Sequence, residues 1–451
     1  MMAPVFQQFA EKKPLCVLSR IALEKLFDAK RLDEVFRSKA KWQYHRELLF
    51  SQVFELMMSV VLRVKPTVHA AYLDRKEELG VSDQAIYDKL RNMEPGITAA
   101  LIEDSAKQLT PVIDALQSRH PAWVPGYKAK VIDGNHLAAT ERRIKELRTK
   151  TSGPLPGTVL AVYEQETDLV TKVFLIQDGH AQERSVLDEV LQTVESNDLW
   201  IADRNFCTKD FLMGIGQANG FFVVRQHGGL LGTEVGMGSA EVQVEGGKVS
   251  EVEYRLSQGE TGLGVRRITL ALSEETRDRD KVIQLLTNLP DEISAAKIAE
   301  VYRKRWTIER RFYEVTQTLN CEPNTLGYPQ AALFAFCLAL IASNAVALIK
   351  ASLRAAHDSQ AVEDMSHYHM ARQIQETLAG MLVVLPPEKC LIYGRMEAAE
   401  FAGILRQVAM NVKPENFKKA KRGPKKKPPK KEGDKNTPHI STYKLINKRR
   451  P

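Results

Sequence analysis

The stretch EVYRKRWTIERRFYEVTQTLN, residues 300–320, determines how the rest of the chain is interpreted. Ser294 provides an N-cap, and no Pro or Gly follows before Leu319, so the sequence predicts one continuous helix. Apolar residues recur at steps of three and four, with one gap of seven, and predict a stripe that faces a core: Ile298, Val301, Ile308, Phe312, Val315 and Leu319.

A second stripe, one position round this helix, carries side chains that can do chemistry. It contains Tyr302, Arg305, Glu309, Tyr313 and Thr316. A carboxylate is thereby held at the edge of a core, with a guanidinium one turn before it and an aromatic ring two turns before it. A solvated charged face has the same pattern, so a functional interpretation depends on the rest of the chain.

The composition is that of an ordinary globular protein. The 451 residues are 44% hydrophobic and 27% charged, enough for two or three domains with cores. The N-terminal residues have no basic start followed by an apolar stretch, so no signal peptide is expected. The apolar run 331–349 is interrupted by Ser343 and Asn344, which favours a buried helix over a membrane span. Five scattered cysteines without a CxxC pair favour a reduced cytoplasmic protein.

Positive charge is concentrated at the C-terminus. From Lys413 onward there are 15 Lys and Arg against 3 acids, a net charge of +12, so the preceding residues carry −4 of the overall +8. The run KKAKRGPKKKPPKK, residues 418–431, cannot form a core and is typical of a segment that binds polyanions. Lys425, Lys426 and Lys427 are its expected DNA contacts. A solubilising tail without specificity has the same composition.

The order of predicted elements indicates an α/β core between helical regions. Residues 80–96 predict a helix capped by Ser82 and stopped by Pro-Gly, which is either part of a helix-turn-helix or of an ordinary helical pair. From residue 127 to 227 the predicted order is β-β-β-α-β-α-β. Residues 228 to 289 are Gly-rich and strand-like, with a hairpin over 241–256 that turns at Gly246-Gly247.

The predicted fold class is α/β, with a mixed-sheet core, an inserted β subdomain, and helical regions at both ends. The predicted organisation is an N-terminal helical DNA-binding region (1–125), a first part of the catalytic core (126–227), the inserted β subdomain (228–290), the core helix bearing Glu309 (291–325), a C-terminal helical region (326–412) and a basic disordered or DNA-binding tail (413–451).

Two aspartates end predicted strands at the edge where open α/β sheets place their sites. In a sheet of order 3-2-1-4-5 the strands of Asp133 and Asp203 are neighbours, and Glu309 can join them from the covering helix. Three clustered carboxylates need a cation, and oxygen ligands suit Mg²⁺ or Mn²⁺. Two such ions about 4 Å apart can stabilise both the attacking and the leaving oxygen of a phosphodiester. His136 is interpreted as a polar neighbour of Asp133, not as a ligand.

Three sequence motifs follow one another along the chain. VIDGN (131–135), ADRNF (202–206) and the helical pattern Y-x2-R-x3-E that ends at Glu309 resemble DDE transposases of bacterial insertion sequences. The resemblance is to the IS-four family, whose ribonuclease-H-like core is interrupted by a β-strand insertion, and it covers about residues 125–325.

The resemblance implies roles for particular residues. Asp133, Asp203 and Glu309 would form the catalytic, metal-binding triad. Tyr302 and Arg305 would contact DNA near the scissile phosphate. Arg204 would support the turn after the second aspartate.

Two departures from the family pattern concern the handling of the DNA end. The family has a Lys seven residues after the Glu, whereas this chain has Thr316, which leaves Arg310 or Arg311 as candidates for that phosphate contact. Relatives hold a flipped base with an aromatic residue of the insertion. Here Tyr254 is the only large substitute.

The sequence therefore predicts a DNA transposase. With two Mg²⁺ ions, or Mn²⁺ as a substitute, it would cut the element ends in double-stranded DNA and join the 3′-hydroxyl to target DNA. The resemblance implies a homodimer on DNA and a cytoplasmic, nucleoid-associated bacterial protein. The alternatives are an inactive DNA-binding regulator with the same fold and a host nuclease without strand transfer. A sugar hydrolase would account for two carboxylates but not for the third or for the basic segment.

Overall fold

A computed structural model describes residues 4–43, 47–137, 154–258, 261–276, 279–323, 325–384, 390–419 and 440–447. The chain begins with helices: α1 (Pro4–Lys12), α2 (Pro14–Leu26), α3 (Ala29–Lys39), α4 (Phe50–Val61), α5 (Val68–Leu79), α6 (Asp83–Arg91) and α7 (Pro95–Ala115). Ser82 caps α6 as predicted, because its side chain accepts a hydrogen bond from the Ala85 N–H. The predicted Pro-Gly stop is wrong: Pro95 is the first residue of α7, where its missing N–H costs nothing.

A mixed sheet forms the centre of the protein. Its first strands and the helices between them are β1 (Lys128–Leu137), β2 (Pro154–Leu155), β3 (Gly157–Glu164), β4 (Leu169–Ile176), α8 (Leu187–Leu191), β5 (Asp198–Ala202), α9 (Lys209–Gln217) and β6 (Phe221–Arg225). β4, β3 and β1 are antiparallel neighbours, and β1, β5 and β6 are parallel neighbours. This is the 3-2-1-4-5 order of a ribonuclease-H-like α/β core, which confirms the predicted fold class.

The inserted strands continue the same sheet. They are β7 (Thr233–Val235), β8 (Val242–Val244), β9 (Gly247–Gln258), β10 (Thr261–Leu272) and β11 (Val282–Thr287). The ten-stranded sheet has the order β4-β3-β1-β5-β6-β11-β10-β9-β7, with β8 paired to β9. The predicted hairpin turn is confirmed, since Val244 pairs with Gly247 and Gly246 has a φ of +83°.

The helix that bears Glu309 is not continuous, which corrects the prediction. It consists of α10 (Ala295–Arg303) and α11 (Trp306–Thr318). Between them the Lys304 and Arg305 N–H groups donate three residues back, to the Val301 and Tyr302 carbonyls at 3.0 and 2.9 Å. Hydrogen bonds of this spacing tighten the turn, as in a 3₁₀ helix, and interrupt the regular α-helical pattern. Sequence periodicity alone does not reveal such a change.

The C-terminal region is again helical: α12 (Pro329–Arg354), α13 (Ser359–Glu363), α14 (His367–Val384), α15 (Leu391–Arg395) and α16 (Ala398–Ala409). Among the described helices, α12 is long and apolar enough to cross a membrane, and 94% of its most apolar window is buried inside the fold. The polar interruption of its sequence has a structural role. The Asn344 side chain accepts from the Val170 N–H at 2.8 Å and donates to the Val170 carbonyl at 2.9 Å, satisfying the backbone of β4.

The last described residues return to the body of the protein. β12 (Ile440–Ser441) pairs in parallel with β2, and α17 (Thr442–Asn447) follows. Ser441 and Thr442 are buried, although the sequence placed them in a basic disordered or DNA-binding tail. Lys425, Lys426 and Lys427 lie outside the described residues.

Candidate active site

The first two predicted carboxylates emerge side by side. In the parallel pair of β1 and β5, Val131 lies opposite Ile201, so Asp133 and Asp203, two residues further on, reach the same edge and the same face of the sheet. The Asp133 Oδ1 accepts from the Gly134 N–H at 3.0 Å. The Asp203 carboxylate accepts from the Asn205 N–H at 2.7 Å and so caps the short 3₁₀ helix 204–206.

The third carboxylate is presented by α11, which is fixed on its opposite side. Phe312 and Val315 are buried in the core, and the Arg311 guanidinium pairs with the Asp168 carboxylate. These contacts leave the Glu309 side chain 51% exposed beside the edge of the sheet. The apolar residues of α11 therefore orient Glu309 as the sequence predicted.

One cation joins two of the three carboxylates. The Arg305 Nη1 donates to the Asp133 Oδ2 at 2.9 Å, and its Nη2 donates to the Glu309 Oε1 at 2.7 Å. The Arg305 side chain is only 9% exposed, and its Nε has no hydrogen-bond partner among the described residues. The turn between α10 and α11 directs Arg305 inward, between the helix and the sheet.

The site holds more negative charge than Arg305 balances. Burial raises the pKa of Asp133 to about 7; the Arg305 guanidinium opposes this shift, and the Asp203 and Glu309 charges add to it. The carboxylates are therefore close enough to influence one another. A second positive charge in the site would be favourable.

The residues present fit a hard divalent ion. Carboxylate oxygens are ligands that Mg²⁺ and Mn²⁺ prefer, and Arg305 already acts as a stand-in cation between Asp133 and Glu309. Within the described part of the chain, however, no group of three His, Cys, Asp or Glu side chains is arranged to hold a metal ion. An ion shared by the three acids therefore requires Arg305 to move. His136 is exposed, and its Nδ1 is hydrogen-bonded to the Thr158 hydroxyl at 2.7 Å.

The other predicted contacts occupy different environments. Tyr302 is 8% exposed, with its ring 6.0 Å from the Arg305 guanidinium, and burial raises its pKa. Arg204 is exposed on the turn after Asp203, and the side chain that stabilises this turn is that of Asp203, which accepts from the Asn205 N–H. Arg310 is exposed on α11 and lines a cavity of about 260 Å³ beside that helix.

Two predicted contacts need correction, and the expected loss of the family Lys contact at Thr316 has a structural description. Arg311 is 5% exposed, and its Nη1 donates to the Ser343 hydroxyl at 3.2 Å in addition to the Asp168 pair, so it is not available to DNA. Tyr254 is 4% exposed, and its hydroxyl accepts from the Gly232 N–H at 2.7 Å, so it cannot hold a flipped base. The Thr316 hydroxyl donates back to the Tyr313 carbonyl at 2.9 Å and contributes no charge.

Sequence reasoning missed two residues of this region. The Glu183 carboxylate packs on Gly134, and its Oε1 lies 1.9 Å from where a Cβ on that residue would be. Asn205 Nδ2 donates to Glu183 at 3.5 Å, which ties this fourth acid to the turn after Asp203. The Gly that follows Asp133 was the available signal. Trp306, next to Arg305, is 62% exposed, and no sequence pattern predicts that exposure.

The comparisons with known proteins agree with this geometry. Residues 125–345 match the family model described as "Transposase DDE domain", a range that contains Asp133, Asp203 and Glu309. Comparison with curated proteins gives no match. This part of the chain is therefore similar to a transposase DDE domain, which supports the resemblance at that level without separating the branches of the family. DDE transposases in general act on DNA and depend on divalent metal ions.

Proposed function

We propose that this protein is a DNA transposase that cuts the ends of an insertion sequence and joins the 3′-hydroxyl to target DNA. One observation carries the proposal: Asp133 and Glu309 meet at a single cation, beside Asp203, at the edge of a ribonuclease-H-like sheet. The match of this region to a transposase DDE domain supports the reaction class.

Asp133, Asp203 and Glu309 would hold two Mg²⁺ ions, or Mn²⁺ as a substitute. When bound, such ions activate the attacking oxygen and stabilise the leaving oxygen of a phosphodiester displacement. Asp203 is pre-oriented by its hydrogen bond to the Asn205 N–H. Asp133 must be ionised to act as a ligand, and its raised pKa means that it loses a proton when it does so.

Arg305 would change partners during the reaction. Its guanidinium, displaced from Asp133 and Glu309, remains within reach of the phosphate that is cut, where its planar donors suit phosphate oxygens. The buried Tyr302 ring limits how far it moves. Trp306, exposed next to it, offers a face on which a base at the DNA end can stack.

Further contacts extend the same proposal. Arg204 and Arg310 are exposed and would contact phosphates near the site. The N-terminal helices, with Gln84, Asp88 and Arg91 exposed on α6, would add sequence preference. Lys425, Lys426 and Lys427 would add salt-dependent affinity. Membership of the IS-four family, action as a DNA-bound homodimer and a cytoplasmic, nucleoid-associated location belong to the proposal as well.

The test is a cleavage and joining assay with DNA that contains the sequences flanking the gene. The wild-type protein with Mg²⁺ should nick these ends and produce joined molecules. Asp133→Ala, Asp203→Ala and Glu309→Ala should abolish both products while DNA binding persists, and Glu189→Ala, an exposed acid on α8, should change neither. Nicks without joined products would indicate a nuclease. Binding without nicks would indicate a regulator.

A further inference from the structure

A second cleft lies where the N-terminal helices, α12 and α17 meet. Its volume is about 230 Å³, and three aromatic side chains line it: Trp42, Tyr328 and Tyr443. Trp42 is 63% exposed and Tyr443 is 37% exposed, so both side chains are accessible to a ligand. An exposed tryptophan in a concave site is unusual for a side chain that only stabilises the fold.

The polar side chains that line this cleft are neutral or positively charged. They are the Arg91 guanidinium and side-chain amides, among them Asn92 and Gln177, and no carboxylate lies among the described lining residues. Arg91 is stacked 4.4 Å above the Tyr328 ring, which holds its donors at the cleft wall. Gln177 accepts from Gln330 Nε2 at 3.2 Å, which fixes the orientation of its amide.

These groups match a nucleobase better than other small ligands. A base presents a flat face to aromatic rings and an edge that carries both donors and acceptors, which amides and guanidinium groups can pair with. Stacking does not depend on sequence, because every base has such a face.

The cleft lies at the edge of the sheet where Asp133 emerges. Gln177 directly follows Ile176, the last residue of β4. Ile176 pairs with Thr158 of β3, and Thr158 also pairs with His136 of β1. β4 is two strands from β1, about 10 Å across the sheet. A DNA strand whose phosphate lies at Asp133 can therefore reach the cleft within a few nucleotides.

Charge at the cleft favours a polyanion. The wall formed by α17 follows the lysine-rich sequence 418–439 and the short strand β12. The described residues on either side of that sequence contact the body of the protein: the Lys419 N–H donates to the Asp364 carbonyl at 2.9 Å, and β12 pairs with β2. Among the described lining residues, the Arg91 guanidinium supplies the positive charge of the cleft.

We propose that this cleft binds an unpaired base of the DNA strand that is processed at Asp133. The inference rests on the proposed function for the identity of the ligand as DNA. It adds a binding site outside the carboxylate centre, with Trp42 and Tyr443 as stacking residues and Arg91 as a donor to the base edge or its phosphate.

The test compares variants of the full chain in their binding to two oligonucleotides, one fully paired and one with a few unpaired bases at its end, the unpaired part containing 2-aminopurine. Trp42→Leu should weaken binding of the partly unpaired DNA about tenfold and abolish quenching of the probe, while binding of the paired DNA changes little. Tyr443→Leu should act in the same direction. Tyr368→Ala, which removes an exposed aromatic ring on α14, is the matched control.

Failure of the cleft inference can be distinguished from failure of the proposed function. If Trp42→Leu and Tyr443→Leu bind the partly unpaired DNA like Tyr368→Ala and still quench the probe, the cleft inference is overturned, whereas cutting and joining by the wild type would leave the transposase intact. If the wild type binds neither oligonucleotide, the cleft inference and the proposed function fail together.

Discussion

Removal of Arg305 should strengthen metal binding while it weakens catalysis. In the structure its guanidinium lies between Asp133 and Glu309, at 2.9 and 2.7 Å, where a divalent ion shared by these acids would have to be. Metal binding must therefore break both ion pairs. Arg305→Gln leaves a neutral side chain of related shape and removes that cost.

The expected gain in metal affinity can be estimated from the ion pairs of Arg305 with Asp133 and Glu309. A charge pair about 4 Å apart in a partly buried site is worth about 4 kcal/mol before solvation is considered. The pair with Glu309 contributes less, since that side chain is half exposed, and the released guanidinium regains hydration or binds elsewhere. A net gain of about 1.4–2.8 kcal/mol remains, which corresponds to Mn²⁺ affinity about 10- to 100-fold higher in Arg305→Gln.

The assay is titration of the DNA-free protein with Mn²⁺, with free Mn²⁺ measured by electron paramagnetic resonance. Arg310→Gln removes an exposed positive charge from the same helix and should leave the affinity near that of the wild type. Thermal unfolding without metal shows whether each variant is folded. Unchanged or weaker Mn²⁺ binding by folded Arg305→Gln would refute the reasoning, because it would mean that the metal does not compete with Arg305.

Three other changes test the electrostatics and packing around the site. Asp133 has a raised pKa of about 7, so the folded chain keeps a proton that the unfolded chain loses near pH 4. The stability of the wild type therefore falls as pH rises between these two values. Because Asn does not titrate, Asp133→Asn should stabilise the protein by about 2–3 kcal/mol more at about pH 8 than at about pH 5. Asp168→Asn leaves the buried Arg311 charge without its partner and should cost about 3–5 kcal/mol in denaturant unfolding. Gly134→Ala places a methyl group against the Glu183 carboxylate and should cost about 1–3 kcal/mol, most of which Glu183→Ala should restore in the double variant.

For each of these three predictions, one result would contradict the physical reason given. A stabilisation by Asp133→Asn that does not depend on pH would mean that its carboxyl titrates normally. A loss in Asp168→Asn no larger than in Glu189→Ala would mean that Arg311 finds another partner. Additive losses in the Gly134 and Glu183 variants would show that the two residues do not touch.

The strands and the helix that carry the three acids could be predicted from the sequence, because the residue patterns that indicate them are local. Strands that end in Asp133 and Asp203, with helices between them, follow from residue patterns of period two and from turn residues, and parallel pairing then places the two acids together. The apolar stripe of residues 298–319 likewise predicted which side of the helix faces the core.

What the sequence did not reveal depends on contacts between distant residues. The turn at Lys304-Arg305 interrupts a sequence without any helix breaker and coincides with the inward ion pairs of Arg305. Arg310 and Arg311 are equivalent as sequence neighbours, yet only Arg311 meets a buried partner, Asp168, which is 143 residues away in the chain. Burial of Tyr254 likewise results from packing in the inserted strands.

The measurement that tests the central claim most directly is anomalous diffraction from crystals of the protein soaked with Mn²⁺. The account predicts an anomalous peak between the Asp133 and Asp203 carboxylates, with Glu309 turned toward it and the Arg305 guanidinium displaced from both acids. Crystals that take up Mn²⁺ only elsewhere, with Arg305 still joined to Asp133 and Glu309, would contradict it.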